Sequence, residues 1–181
     1  MVWTQTNSFT VANTALAWDG WTGNNVWDTL SLNWHPHLQP GSGSDLFRQG
    51  DRAVFPLAGT FTLATDMDAE QVDIAQHLTL AGGRDLWLLR SLNVAENWDA
   101  TLGVPRLTGS GRVAVSNATL RVGNPANDFT GGVLVTRGTL HADVSAPASS
   151  VLGAGDVTLG QETPALSTAV LNFTNTAGVP V

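Results

Sequence analysis

An all-β protein wound as a parallel β-solenoid is the fold class this sequence predicts, and three observations predict it. First, short β-rich runs cut by Gly, Asn, Asp and Pro recur along the chain: "GTFTLAT", "HLTLAGG", "DLWLLRSLNV", "RVAVSNATLRVG", "GVLVTRGTLHADV", "DVTLG" and "AVLNF". That punctuation marks an all-β domain and by itself leaves sandwich, barrel and solenoid open. Second, Leu120, Leu140 and Leu159 return in similar local text, "ATLRVG", "GTLHAD" and "DVTLGQ", at spacings of 20 and 19. A fixed period of about 20 residues is the mark of a repeat architecture. Third, "TLRVGNPANDFTGGVLVTRGTLHAD" leaves a Thr-Leu pattern, spends Asn, Pro, Asp and Gly, and arrives back at Gly-Thr-Leu. A sandwich gives no reason for that return. A solenoid coil does, because each Leu then lies over the Leu of the coil below, about 4.8 Å away.

Taken from the N-terminus, the first 55 residues differ from the rest. Trp18, Trp21, Trp27 and Trp34 fall within 17 positions, and "PGSGSDLFRQGDRAVFP" then leads to a short strand at 53–55. A solenoid end exposes an unpaired edge and an open core, and large aromatics are good plugs for both. Residues 1–55 are therefore expected to form a cap with the first coil, and 56–181 the coils of a longer protein, with Met1 an addition. The segment Asp66 to Leu78, "DMDAEQVDIAQHL", is the best helical candidate. Its apolar stripe is thin and its flanks are strand-like, so it is expected to be extended. Further on, "NPAND" is expected to be one corner and Gly131-Gly132 a second, with Gly and Asn supplying the backbone angles that corners need. The chain then re-enters the same face at Gly138, and no single coil could bury its apolar face alone.

Composition narrows the function. The chain has no Cys, Lys or Tyr, so it holds no disulfide, thiol nucleophile, iron–sulfur cluster, P-loop lysine or Schiff base. Net charge is −7 with eight Arg scattered singly, which makes nucleic acid an unsuitable partner. No apolar run approaches the ~20 residues of a membrane span, and "MVWTQTNSFTVANTALAW" lacks the basic start and apolar middle of a signal peptide.

At Asn127, Phe129, Thr130, Gly131, Gly132, Val133, Val135, Gly138, Thr139 and Leu140 the sequence resembles the autotransporter-associated β-strand repeat. That repeat reads Asn–x–aromatic–Thr/Ser–Gly–Gly, a Val-rich strand, then Gly-Thr-Leu. Upstream, Asn33-Trp34 followed by Gly50, Asp51, Ala53 and Phe55 is similar to the start of such regions. The stronger match covers about 40 residues and the weaker about 30 more. The resemblance implies a right-handed parallel β-helix in a large secreted or cell-surface bacterial protein, acting as a stalk or adhesive surface and carrying no catalytic residues. The chain departs from the pattern in showing one good repeat rather than many, and no outer-membrane barrel.

Several constellations invite chemistry. Asp66, Asp68 and Glu70 alternate and, with Asp73, could offer oxygen ligands to Ca²⁺; the plainer reading is a solvated outer face. His35-Pro-His37 could present two imidazoles to a metal, with no third ligand near in sequence. Trp18, Trp21, Trp27 and Trp34 could stack on sugar rings, but their spacings of 3, 6 and 7 make no flat strip, and filling the cap core is the simpler use. Trp87 and Trp98 read as core or rim. His77 and His141 stand alone, there is no Gly-x-Ser-x-Gly elbow, and Asp128 and Asp143 are the available carboxylates for a lyase or glycosidase. Asn117-Ala-Thr and Asn172-Phe-Thr are formal sequons with little weight in a bacterial protein.

The sequence thus predicts a non-enzymatic, extracellular structural or adhesive segment with no cofactor and no metal. Leu120, Asn127, Phe129, Gly131, Gly132, Gly138, Leu140 and Leu159 are its structural motif residues. Its expected partners are neighbouring coils, copies of itself, or a surface glycan or host protein. Two other uses of the same fold stand beside this one: a head-to-tail fibre subunit, and a carbohydrate-binding or -cleaving helix using the Trp-rich cap.

Overall fold

The structure, a computed structural model, describes residues 14–37, 44–144, 150–160 and 168–174. The expected chain ends, with the readings placed on them, lie outside these residues. No helix occurs among the described residues. The strands are β1 (Ala15–Trp18), β2 (Val26–Trp27), β3 (Trp34–Pro36), β4 (Arg52–Phe55), β5 (Gly59–Leu63), β6 (Met67–Ile74), β7 (Leu78–Gly82) and β8 (Leu86–Ala95). They continue as β9 (Asp99–Leu102), β10 (Leu107–Thr108), β11 (Arg112–Val122), β12 (Val133–Asp143), β13 (Val157–Leu159) and β14 (Ala169–Thr174). Asp66 to Leu78 is extended, as its thin apolar stripe predicted: β6 reads buried at Met67, Ala69, Val72 and Ile74.

Among the described residues every strand pair except β1 with β3 is parallel, so the chain winds rather than folding back in hairpins. It forms a β-solenoid of about 5 turns. Successive coils place like on like along three stacks. In the first, Met67 lies beside Leu86 and Leu86 beside Leu107. In the second, Leu16, Ala53, Val72, Leu92, Val113, Val133 and Val157 follow one another in register. In the third the row is Leu78, Ala100, Leu120, Leu140 and Leu171.

These rows are the core. Alternate residues point inward, and nearly all the inward ones are apolar and buried. Removing one Leu or Val side chain from water contributes roughly 1.5–3 kcal/mol, so a rung gains its stability only from the rungs beside it.

The expected leucine stack needs one correction. Leu120 and Leu140 are in register, but Leu159 lies over Val135 and is 48% exposed. Leu171 is the residue that covers Leu140. The cause is coil length. The second stack steps from Leu92 to Val113 to Val133, then lengthens to reach Val157, so a constant period of ~20 lands one strand early.

The N-terminal end is plugged by aromatics. Trp18, Trp27, Trp34, Phe47, Phe55 and Phe61 are all buried, with ring centroids 4.9–5.9 Å apart in mostly edge-to-face pairs. Each such pair adds ~0.5–1.5 kcal/mol beyond its area. Buried Asn33 ties the Trp-bearing loops together: its Oδ1 accepts the Thr22 N–H (3.1 Å), and its Nδ2 donates to Val26 O (3.1 Å). Asp51 accepts the N–H groups of Thr14 and Arg48, both at 3.0 Å, fixing entry into β4.

The corners carry the expected residue types. Asn97 and Asn117 take positive φ (65° and 54°), and Asn117 Nδ2 donates to Asn97 Oδ1 at 2.8 Å. One coil on, Gly138 occupies this corner with φ 98°, and a Cβ there would strike the Ala118 backbone. Only Gly fits that approach.

Candidate functional site

The residues singled out from sequence divide sharply by position. Asn127, expected at a corner, is fully buried and bridges three coils. Its Oδ1 accepts the Leu107 N–H at 2.7 Å, and its Nδ2 donates to Val151 O at 2.7 Å. Phe129 is buried beside it. Gly131 and Gly132 stand at the next corner, where a Cβ would meet the backbone of the coils before and after. These are structural positions.

Trp18, Trp27 and Trp34 are at most 1% exposed, so they fill the cap and present no ring face to a sugar. Trp21 is 78% exposed and alone of the four in that respect. The proposed stacking platform is thereby corrected to a plug: three large apolar rings cost too much to leave in water while the end of the core lies open.

The acidic stretch is dispersed. Asp66 Oδ1 accepts the Asp85 N–H at 3.0 Å, Asp68 lies on the outer face of β6, and Glu70 Oε1 is 4.0 Å from Arg90 Nη1. Asp73 accepts from Arg52 Nε at 2.6 Å and from the Asn93 amide at 2.8 Å. The strand turns a corner at Glu70-Gln71, where two successive residues face outward, and the carboxylates of Asp66, Glu70 and Asp73 each find a separate partner on a neighbouring coil. Among the described residues no group of three or more His, Asp or Glu is arranged to hold a metal ion. His35 lies 3.8 Å from Asp19 in the β1–β3 pair, and His37 N–H donates to Ala15 O at 2.8 Å.

A different set of residues forms a groove of about 470 Å³ on the outer side of the third stack. Thr101, Arg121 and His141 are in register on β9, β11 and β12, one above another. Outward-facing residues alternate, so the next outward row holds Gly103, Gly123 and Asp143. A Cβ at Gly123 would stand 3.9 Å from the Asp143 Cβ, in ordinary contact, so the two glycines leave the groove floor open. Pro105 and Pro125 line it beyond them. Between lie Val104 and Asn124, at equivalent places in "GVP" and "GNP". Both are buried, at 1% and 3% exposure. Val104 is an ordinary core residue. Asn124 is not: neither its Nδ2 nor its Oδ1 has a hydrogen-bond partner.

The electrostatics of the groove are uneven. Arg121 forms no ion pair with any described residue, unlike Arg52 and Arg106. Burial and then the Arg121 charge hold the His141 imidazole below its ordinary pKa, so it is neutral near pH 7. The groove therefore offers a guanidinium with no ion-pair partner among the described residues, one neutral imidazole and one unsatisfied amide within three coils.

Sequence reasoning passed over Arg121 and Asn124. The signal was present: setting "LGVPRL" against "VGNPAN" puts an amide where the coil before has a valine. Comparison of the chain with family models, curated proteins and solved structures gives no match. The class the geometry defines is a parallel β-solenoid with an aromatic plug.

Proposed function

We propose that this chain is a non-enzymatic structural segment of a bacterial surface or secreted protein, of the autotransporter-associated β-strand repeat kind, which projects and presents an adhesive outer face. The observation that carries this reading is the unbroken buried row from Leu16 to Val133, with parallel pairing at each step. Such a ladder makes a stiff rod whose length grows by one strand spacing per coil, and it leaves the outward residues free to vary. The match of Asn127, Phe129, Gly131, Gly132, Gly138 and Leu140 to the repeat supports it, since each sits where backbone or core demands that residue type. Placement on the surface is tested in the native host. Intact cells treated with protease, or stained with antibody to the purified chain, are expected to show it outside. Recovery from the cytosolic fraction alone would contradict the reading.

A second use is favoured by apolar side chains exposed among the described residues of β13 and β14. Val157, Leu159 and Phe173 are 39%, 48% and 58% exposed on β13 and β14, an apolar edge that a copy of the chain could cover. Sedimentation across a concentration range reads this. Growth into higher species supports head-to-tail assembly, and a constant monomer removes it.

A further inference from the structure

We propose that the groove over Arg121, Asn124 and His141 binds a carboxylate-bearing sugar, a uronic acid unit within a glycan chain. The inference rests on the adhesive reading only for its biological use, because the binding itself belongs to the purified chain. Two independent observations point to a ligand. One is the guanidinium of Arg121, which faces the groove and forms no ion pair with any described residue, in a molecule of net charge −7. A planar guanidinium matches a carboxylate through two parallel hydrogen bonds. The other is Asn124, which lines the same groove with a donor and an acceptor both buried and both unpaired. A buried unsatisfied polar group is costly, and the preceding coil avoids that cost with Val104. An amide that gives and accepts suits neighbouring sugar hydroxyls, which do the same.

The rest of the groove selects among anions. Among the described residues it holds one cation without an ion-pair partner, Arg121, and, at its far side, the carboxylate of Asp143, so a dianionic phosphate or a densely charged polymer is disfavoured. Neutral His141 adds a hydrogen-bonding group without charge, and Thr101 adds a hydroxyl. Pro105 and Pro125 give an apolar wall of the kind a pyranose ring packs on. The volume of about 470 Å³ lies within the range of roughly 300–1,000 Å³ that small ligands occupy. The open floor at Gly103 and Gly123 admits a ring that any larger side chain there would exclude.

The test is an amide-resolved NMR titration of the purified chain with digalacturonate and diglucuronate, with the neutral disaccharides as controls. Saturable shifts confined to residues around 121–125 and 141–143 are expected for the uronates and not for the neutral sugars. Arg121→Gln and Asn124→Val are each expected to weaken binding at least tenfold. Asn124→Val places in one coil what Val104 places in the coil before, so it is also expected to raise Tm. Gain of stability with loss of binding is what a ligand-directed amide shows and a structural one does not. Gly123→Val, which leaves Arg121 and Asn124 in place, is expected to fold normally and to block binding by filling the floor. Absence of saturable shifts, equal binding of neutral sugars, unchanged affinity in Arg121→Gln or Asn124→Val, or tighter binding of an acidic peptide would each overturn the proposal. Surface placement is read from intact cells, so failure there and failure here are separate results.

Discussion

At the scale of single residues, buried amides separate structure from function. Asn127 and Asn124 are three positions apart, and both are buried. Asn127 has every reason to be there, since it satisfies Leu107 N–H below and Val151 O above. Replacing it with Ala strands both groups, and the expected loss is about 2–4 kcal/mol in urea unfolding. Asn172→Ala, at an exposed position of β14, is expected to stay within ~0.5 kcal/mol of the parent. An equal loss in the two variants would contradict the bridging role. His141 gives a prediction of sign. Its folded-state pKa is held below 6.5 by burial and by Arg121 on the neighbouring strand, while Asp143 lies on its own strand. The unfolded chain therefore binds a proton first as pH falls. Stability from this group is complete above about pH 6.5 and is lost on acidification from there toward the folded pKa. His141→Gln is expected to flatten that part of the Tm profile between pH 7 and 5; an unchanged slope would remove His141 as its source.

At the scale of the element, the unit is the coil and not the strand. Ser91–Ala95 pairs with Arg112–Ser116, and Leu86 with Leu107, so residues 92–112 are one complete turn. Deleting 92–112 joins Ser91 to Val113 and puts Val113 where Leu92 stood, opposite Val72. That shorter chain is expected to fold cooperatively with retained β-type circular dichroism. Deleting 92–101 alone removes about half a turn, so the strands that follow no longer lie over their own stacks, and it is expected to abolish cooperative unfolding. The coil was legible in the sequence because its corners use up Gly, Asn and Pro, and because Leu120 and Leu140 repeat. Leu159 was not, because the later coils take extra residues between faces and the numerical period then points to the wrong neighbour. Alternation in the sequence puts Asp66, Asp68 and Glu70 on one side, with Asp73 as a further oxygen ligand. The corner at Glu70-Gln71, invisible to simple alternation, sends them to partners such as Asp85 N–H, Arg90 and Arg52.

At the scale of the whole molecule, function follows from length and from the division between inside and outside. The inner rows are apolar and nearly uniform, and they specify the winding. The outer rows are where one coil differs from the next, and the groove arises from such a difference. Glycines at 103 and 123 open it, Asn124 replaces the pattern set by Val104, and Arg121 has no ion-pair partner among the described residues. The site was hidden from motif reading because it belongs to no single segment; it exists only when three coils are stacked. The aromatic plug was foreseen from the density of Trp, though density alone could not say that Trp21 is exposed while Trp18, Trp27 and Trp34 are buried.

The winding itself is tested most directly by paired cysteines, since the chain contains no Cys of its own. Thr119 lies beside Thr139, and Thr139 beside Val170, at strand spacing of about 4.8 Å, within the ~4.4–6.8 Å between Cα atoms that a disulfide spans. Mild oxidation of Thr119→Cys/Thr139→Cys and of Thr139→Cys/Val170→Cys is predicted to give intramolecular disulfides, read by peptide mass. Thr139→Cys/Thr158→Cys is predicted to stay reduced, because Thr158 lies over Leu134 on a different stack. Closure of that third pair with failure of the first two would contradict the parallel coil and everything built on it.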